Sequence, residues 1–184
     1  MSPEEASQYL NGKYRSYDER AVRYRLATLA MIMMGLDEND SVLDFGGGDA
    51  ELEKCMRDEF GWKGLYVNVD YVTGLDIKQV LAEHAANFRC DFVTGLEVIE
   101  HLDQPWVNIM LMRLPFYARK GVVLSTPDPL VQDVLAMDNT HVTPVYPVMF
   151  AARGYTVERH MLYDGYYSEG QVDGLIAYKK GLGK

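Results

Sequence analysis

The stretch VLDFGGGDAEL, residues 42–52, decides the fold, because in it an apolar segment leads into three consecutive glycines. The apolar residues predict a strand over Ser41–Phe45, and the helix formers that follow predict a helix over Asp49–Phe60. A strand that ends in glycines and opens a helix brings backbone N–H groups to one point, where glycine also lets a ligand approach. We interpret this glycine loop as a site for an anionic or polar ligand group; the alternative is a tight turn without a ligand.

Strands and helices alternate over the rest of the chain. The predicted strands are Leu65–Val69, Cys90–Leu96, Gly121–Thr126 and the runs YTVERHMLY and LIAYKK, and the predicted helices are Pro3–Leu36, about Trp106–Leu114, and Pro144–Arg153. Alternation of this kind predicts βαβ units and a parallel sheet. The last two strands are separated by the Gly/Tyr-rich stretch Asp164–Gly174, so they must pair antiparallel or leave the sheet. Residues 76–89 fit either a short strand entering a helix or one helix throughout.

Composition limits the class of protein. The 184 residues are 48% apolar and carry a net charge of −9, which predicts one globular domain and argues against a broad basic face for duplex nucleic acid. The longest apolar run, around Ala27–Met34, is too short to span a membrane, and the N-terminus lacks the pattern of a signal peptide. Cys55 and Cys90 have neither disulfide-motif nor zinc spacing. We therefore expect a cytoplasmic, single-domain protein with no membrane partner.

Two common nucleotide loops fit the glycines poorly. Gly46 and Gly48 begin a G-x-G-x-x-G dinucleotide fingerprint, but Glu51 occupies its third position, where close packing of helix on strand requires Gly or Ala. The chain also lacks a second half to hold a nicotinamide and its substrate, which disfavours a nicotinamide oxidoreductase. No GK[ST] follows the glycines, so a P-loop is excluded.

Acidic residues near the loop fit S-adenosylmethionine (SAM) better. Asp44 lies two residues before the first glycine, where its carboxylate can orient the loop and meet the ammonium group of the ligand. Asp70 closes the next strand and can accept hydrogen bonds from both ribose hydroxyls at the carboxyl edge of the sheet. Asp76, in VTGLDI, is a rival for the ribose; we favour Asp70 because LYVNV is the better strand.

Four segments together resemble class I SAM-dependent methyltransferases: VLDFGGGDAEL, LYVNVD, CDFVTGLEVIEHL and GVVLSTPDP. The pair EVIEHL and STP is similar to the small-molecule and RNA O-methyltransferase branch, which includes ubiquinone-pathway enzymes. The resemblance implies an α/β, Rossmann-like, mostly parallel seven-stranded sheet with a C-terminal antiparallel hairpin and helices on both faces. It also implies one domain over residues 1–184, with a helical lid (1–36) and a SAM-binding core (41–184).

The resemblance assigns cofactor contacts to particular residues. Asp44, Gly46 and Gly48 would line the methionine end of SAM, Asp70 would bind its ribose, and the backbone of Leu96 would contact the methionyl part. Many members also have an acidic residue after the third strand for the adenine amino group. The corresponding place here, near Val80 and Leu81, is apolar, so adenine recognition would depend on backbone groups.

EVIEHL places Glu97, Glu100 and His101 at positions i, i+3 and i+4, on one face of a helical turn. The pattern resembles 2′-O-methyltransferases acting on small-RNA 3′ ends, in which two Glu and two His hold a magnesium-type ion; His141 would be the fourth ligand. Oxygen and imidazole ligands suit Mg²⁺ or Mn²⁺. Alternatively His101 or His141 is a general base, or the group is a solvated face or only shapes the cofactor loop. His84 and His160 are assigned no role.

The basic stretch near the N-terminus leaves the acceptor open. Five cations interleave there with tyrosines that could stack on a base or an aromatic substrate; the cations are Lys13, Arg15, Arg20, Arg23 and Arg25. More often such a stretch is a helix whose arginines face water and whose tyrosines pack on the sheet. We therefore expect methyl transfer from SAM to an oxygen of a small molecule; the alternatives are a metal-assisted RNA 2′-O-methyltransferase and a non-catalytic SAM-binding partner.

Overall fold

The computed structural model describes residues 22–70, 73–82, 89–167 and 170–182. The helices are α1 (Val22–Met33), α2 (Glu51–Phe60), α3 (Ile77–Ala82), α4 (Gln104–Tyr117), α5 (Val134–Met137) and α6 (Pro147–Ala151). The strands are β1 (Val42–Phe45), β2 (Tyr66–Val69), β3 (Cys90–Leu96), β4 (Ala118–Pro127), β5 (Thr156–Tyr167) and β6 (Gly170–Lys180). Within the described ranges, no helix combines the length and the apolar character that crossing a bilayer requires.

One sheet contains these six strands in the order β2–β1–β3–β4–β6–β5. β1 pairs parallel with β2 and β3, β3 pairs parallel with β4, and β6 pairs antiparallel with β4 and β5. The carboxyl ends of β1 to β4 therefore meet at one edge of the sheet, where ligands bind in open α/β folds. The predicted α/β fold with a parallel sheet and an antiparallel hairpin is confirmed.

The seventh strand that the resemblance implies is not found among the described residues. After β2 the chain forms the short helix α3 instead, which favours the helical reading of the segment that the sequence left open. Residues 83–88 lie outside the described ranges, as does the part of the predicted helix Pro3–Leu36 that precedes Val22.

Helices cover both faces of the sheet. Side chains on α1 and α2 pack against one face in a cluster with Val42, and side chains on α4 pack against the other in a cluster with Leu43. These two neighbours in β1 belong to opposite faces because successive side chains of a strand alternate. A strand buried on both faces is mostly apolar, which is why GVVL reads as a continuous apolar run and VLDF is interrupted only by Asp44.

The C-terminal hairpin is longer than the sequence predicted. β6 pairs with β4 only as far as Gly174, opposite Pro127, while the β5–β6 ladder continues to Tyr167 and Gly170. The hairpin thus extends past the end of β4 at the carboxyl edge. The prediction that Asp164–Gly174 separates the strands is wrong, because cross-strand pairing overrides the turn preference of its glycines.

Two helical predictions also change. The helix predicted over Pro144–Arg153 is shorter, and α5 was not predicted at all. Since α5 is a single turn, it carries too little periodicity to be recognised in the sequence. Its N-terminal cap is Asp133, whose side chain accepts a hydrogen bond from the backbone N–H of Ala136.

Candidate active site

The glycine loop follows β1 and is shaped by left-handed backbone conformations. Gly46 has φ +75° and Gly48 has φ +47°. A Cβ on Gly46 would lie 2.5 Å from Val98 Cγ2, whereas a Cβ on Gly48 would meet nothing within 4 Å. Gly46 is therefore required by packing against the loop after β3, and Gly48 leaves open space beside the backbone. That open space fits the ligand approach that the sequence predicts.

Asp44 lies beneath this loop and is 2% exposed. Its Oδ2 accepts a short hydrogen bond from the Tyr66 hydroxyl, and its Oδ1 accepts one from Thr94 Oγ1 at 2.7 Å. Burial raises the pKa of Asp44 to about 6, although both hydroxyls lower it. The carboxyl group is thus an internal anchor that joins β1 to side chains of β2 and β3 directly before the glycine loop.

Asp70 and Asp76, the two rivals for the ribose, lie in different surroundings. Asp70 Oδ2 accepts a hydrogen bond from the backbone N–H of Gly48 at 3.0 Å, so this carboxylate adjoins the glycine loop. Asp76 Oδ1 instead accepts from the backbone N–H groups of Lys78 and Gln79 at 2.7 and 3.2 Å. Asp76 therefore serves as the N-terminal cap of α3. Of the two acids, Asp70 is the one that the structure brings to the loop.

We call the region at the carboxyl edge of the sheet between the glycine loop and the turn over residues 97–101 the crevice. Arg23 acts on this region, although sequence analysis assigned it no role beyond the basic stretch. Its guanidinium stacks on the Tyr24 ring, 4.6 Å from the centroid, and donates a 2.6 Å hydrogen bond to the Tyr24 hydroxyl. Its positive charge partly offsets the rise in the pKa values of Asp44, Glu97 and Glu100, so Arg23 lies close enough to act on all three carboxyl groups. The only signal in the sequence was its membership of the basic stretch.

Arg25 corrects the interpretation of that stretch as a water-facing row of arginines. Its side chain is buried, and it donates two hydrogen bonds to the Glu59 carboxylate of α2. Arg25 therefore joins α1 to α2 through a salt bridge instead of facing water. Lys13, Arg15 and Arg20 lie outside the described residues.

β3 ends at the buried residue Leu96, and the chain then turns sharply at Glu97, which has φ +54°. Such a backbone conformation costs about 1 kcal/mol or more in a residue with a side chain. The backbone N–H of Glu97 donates to the carbonyl oxygen and to Oγ of Ser125, both at 3.1 Å, and Ser125 Oγ donates to Glu97 Oε1 at 2.8 Å. Burial raises the pKa of Glu97 to about 7, against the lowering effects of Ser125 and Arg23.

Glu100 is fully buried on the turn that follows, Ile99–His101. Thr126 Oγ1 donates a 3.0 Å hydrogen bond to Glu100 Oε2. Oε1 has no hydrogen-bond partner among the described residues, and His141 Nε2 lies 3.9 Å from it. Burial and the nearby Glu97 carboxylate raise the pKa of Glu100. A buried carboxylate oxygen without a partner is costly, so this atom is suited to an additional ligand.

Two histidines complete the cluster. His141 Nδ1 lies 2.7 Å from the carbonyl oxygen of Val134; since a carbonyl only accepts, Nδ1 carries a proton and Nε2 faces Glu100. His101 Nδ1 lies 3.2 Å from the carbonyl oxygen of Thr140, and burial followed by the neighbouring His141 lowers the pKa of His101. Ligand atoms of Glu100, His101 and His141 all lie within 4.8 Å of one another.

The structure thus brings together three of the four residues that were predicted as metal ligands. Among the described residues, Glu97 is not a member of this group, because its carboxylate faces Ser125. His160, which was assigned no role, lies 3.2 Å from Glu158 on β5, and His84 is outside the described residues. An orphaned carboxylate oxygen beside two imidazoles fits a divalent cation.

Comparisons with known proteins agree with this architecture. A family model described as a methyltransferase domain matches residues 14–160. No curated protein matches the chain. A SAM-dependent methyltransferase structure from Archaeoglobus fulgidus superposes with a TM-score of 0.56 at 18% identity, and the alignment covers 94% of this chain and 99% of that one.

Two further structures have the same fold. The methyltransferase domain of a bacterial protein, CtHen1, has a TM-score of 0.55 at 17% identity, and the alignment covers 90% of this chain and 100% of that one. The small RNA methyltransferase HEN1 has a TM-score of 0.58 at 14% identity; the alignment covers 92% of this chain but only 27% of HEN1. Since the family model spans most of the chain, the chain belongs to the methyltransferase-domain family and is a SAM-dependent methyltransferase of class I.

Proposed function

We propose that this methyltransferase methylates a hydroxyl oxygen of a small-molecule acceptor and that a divalent cation, Mg²⁺ or Mn²⁺, assists the reaction. The observation that carries the proposal is the buried Oε1 of Glu100, which has no hydrogen-bond partner among the described residues and faces His141 Nε2 at 3.9 Å. Amines that are neutral at pH 7 need little activation, whereas a hydroxyl group must lose a proton as it is methylated. A carboxylate and two imidazoles at this edge therefore favour an oxygen acceptor.

The glycine-loop side of the crevice is assigned to the cofactor. When bound, SAM supplies a sulfonium methyl group that is already activated for transfer. The glycine loop around Gly46 and Gly48 would hold its methionyl part together with the Arg23 charge and the backbone of Leu96, and Asp70 would accept hydrogen bonds from the ribose hydroxyls. The chain contributes mainly by aligning the acceptor with the methyl group and excluding water.

The cluster side is assigned to the acceptor. Glu100, His101 and His141 would hold the cation, which would supply Lewis acidity that lowers the pKa of a hydroxyl group. In the overall reaction an O–C bond forms while the S–C bond breaks, S-adenosylhomocysteine leaves, and the hydroxyl proton is released.

His101 has a second proposed role if activity is independent of a cation. Its pKa is lowered, so the ring is unprotonated at neutral pH and can accept the hydroxyl proton as a general base. His141 is the other candidate for that role, since Val134 engages its Nδ1 and its Nε2 lies in the cluster beside Glu100.

A small-molecule acceptor is preferred to RNA. The chain has a net charge of −9, and RNA backbones are bound mainly by cationic surfaces. Arg25, one of the cations of the basic stretch, is engaged with Glu59 inside the fold. HEN1 is described as a small RNA methyltransferase, but its likeness to this chain extends to the fold alone.

The proposal is tested with EDTA-treated protein, by titrating S-adenosylhomocysteine with and without Mn²⁺ or Mg²⁺ and by assaying methyl transfer to panels of hydroxyl, amine and thiol acceptors. We expect cofactor binding without the cation, and transfer to hydroxyl acceptors that requires it. Glu100→Gln should remove the cation dependence and most of the transfer. Glu158→Gln, on β5 outside the crevice, is the matched control and should leave both unchanged. Transfer only to nitrogen, or full activity of Glu100→Gln in EDTA, would contradict the proposal.

A further inference from the structure

Glu97 and Glu100 are chemically identical and three residues apart, yet the described residues contact them differently. Ser125 engages Glu97 at three points: it accepts from the Glu97 N–H through its carbonyl oxygen and its Oγ, and it donates to the carboxylate. Thr126 donates a single hydrogen bond, to Oε2 of Glu100, and Oε1 is left to face His141. Ser125 therefore holds the backbone N–H and one carboxylate oxygen of Glu97, whereas Glu100 keeps a buried oxygen, Oε1, that has no hydrogen-bond partner among the described residues.

The two hydroxyl groups can reach different glutamates because Ser125 and Thr126 are consecutive residues of β4. Both belong to the regular ladder with β6, opposite Ile176 and Leu175. Consecutive side chains of a strand point to opposite faces, so the end of β4 presents one hydroxyl on each side. The left-handed turn at Glu97 then lets one carboxylate return to Ser125 while the following turn carries the other to Thr126.

We infer that Ser125 and Thr126 are positioning residues that give the two glutamates different roles. Ser125 holds Glu97 in the turn and outside the group of ligand atoms formed by Glu100, His101 and His141. Glu97 therefore does not ligate the cation. Thr126 holds Glu100 by one oxygen and directs the other towards His101 and His141. This inference rests on the proposed cation, and it replaces a ligand set of two glutamates and two histidines with one carboxylate and two imidazoles.

The chemical consequence is a cation with fewer protein ligands and less neutralised charge. One carboxylate leaves a divalent ion with a net positive charge and with coordination positions that the protein does not fill. Those positions are available to an acceptor oxygen, as in catalytic sites that keep an open position. A nitrogen-rich donor set also ranks transition-metal ions such as Mn²⁺ above Mg²⁺, which makes Mn²⁺ a suitable probe.

The test measures Mn²⁺ binding by calorimetry and by the electron paramagnetic resonance signal of unbound Mn²⁺, on protein saturated with S-adenosylhomocysteine. Glu100→Gln should weaken Mn²⁺ binding about 100-fold or more, whereas the matched variant Glu97→Gln should stay within roughly threefold of the wild type. Thr126→Val, which keeps the shape and removes the hydroxyl, should weaken Mn²⁺ binding about 10-fold to 100-fold. Thr126→Ser should restore it, since the hydroxyl donor returns.

Ser125→Ala separates the roles independently of any substitution at the glutamates. It should lower the melting temperature, because the hydroxyl contacts of Ser125 with Glu97 are lost. It should leave the Mn²⁺ affinity unchanged, because the contact of Thr126 with Glu100 is kept. A merely structural role for Thr126 would lower the melting temperature of Thr126→Val without moving the Mn²⁺ affinity of the folded protein.

Two outcomes would overturn different claims. If the wild type binds Mn²⁺ and Glu97→Gln or Ser125→Ala loses it as Glu100→Gln does, the division of roles is wrong and the proposed cation stands. If the wild type binds no Mn²⁺ while it still binds S-adenosylhomocysteine, the cation and the positioning roles both fail, and methyl transfer without a cation remains.

Discussion

The two sides of the crevice treat their buried carboxylates in opposite ways. On the glycine-loop side, both oxygens of Asp44 accept hydrogen bonds from Tyr66 and Thr94. On the cluster side, Glu100 keeps one buried oxygen that no described residue satisfies. Because buried polar groups are normally paired, the first side is organised by the chain itself, and in our proposal the second is completed by a bound cation. The comparison predicts where substitutions should change stability and where they should change ligand binding.

The two sides meet at Gly46 and Val98, and the largest effect is expected there. Gly46→Ala would place a Cβ 2.5 Å from Val98 Cγ2 at a residue with φ +75°. Backbone strain and overpacking each cost about 1–3 kcal/mol, so we expect the free energy of unfolding to fall by about 4 kcal/mol and cofactor binding to be lost. Urea unfolding and titration with S-adenosylhomocysteine measure the two effects.

Gly48→Ala is the matched control for this prediction. Its φ of +47° imposes backbone strain, but no atom lies within 4 Å of the added Cβ. We expect a loss of about 1 kcal/mol in unfolding free energy. Equal losses in the two variants would show that the contact with Val98 does not hold the two sides together.

The same contrast explains what could be predicted from the sequence. The glycine loop and Asp70 were predictable because a strand, its turn and the next strand place them through local spacing and the general βαβ arrangement. The pairing of Ser125 with Glu97 was not, since it joins residues 28 positions apart across two strands. The exclusion of Glu97 from the cluster was missed for a local reason: helical spacing predicts one face, but the chain turns through a left-handed residue there.

The pH dependence of stability should reveal the buried anchor, Asp44. Its pKa is about 6 in the folded protein and about 3.9 when unfolded, so the folded state holds the proton more tightly. Its contribution to stability is full below pH 4 and is lost as the pH rises through 6, by about 3 kcal/mol. Asp44→Asn should remove this part of the decline. Urea unfolding between pH 4 and 7 measures the difference between the two proteins.

Glu97 and Glu100 also have raised pKa values and add to the decline in both proteins. For this reason the comparison is between wild type and Asp44→Asn at each pH rather than between two pH values. Parallel curves for the two proteins would mean that Asp44 is not the anchor that the structure shows.

A smaller effect is expected at the ribose position. Asp70→Asn removes the charge from a carboxylate that accepts from the Gly48 N–H and, in our proposal, from the ribose hydroxyls. Hydrogen bonds to charged groups contribute about 1.5–3 kcal/mol, so affinity for S-adenosylhomocysteine should fall roughly 30-fold. Asp76→Asn is the control, because Asn also caps helices well and should leave affinity unchanged. The reverse result would assign the ribose to Asp76.

The smallest effect compares two tyrosine hydroxyls that each donate to a carboxylate. Tyr66 donates to the buried Asp44, and Tyr178 donates to Glu158, which is partly open to water. Tyr66→Phe should lower the free energy of unfolding by about 1–3 kcal/mol and raise the pKa of Asp44 further, because a buried acceptor loses its donor. Tyr178→Phe should cost less than about 1 kcal/mol, since water replaces the hydroxyl at Glu158. Equal costs in urea unfolding would mean that water reaches the Asp44 carboxylate. The contrast between Asp44, whose two oxygens are paired within the chain, and Glu100, which keeps one buried oxygen without a partner among the described residues, would then lose its physical basis.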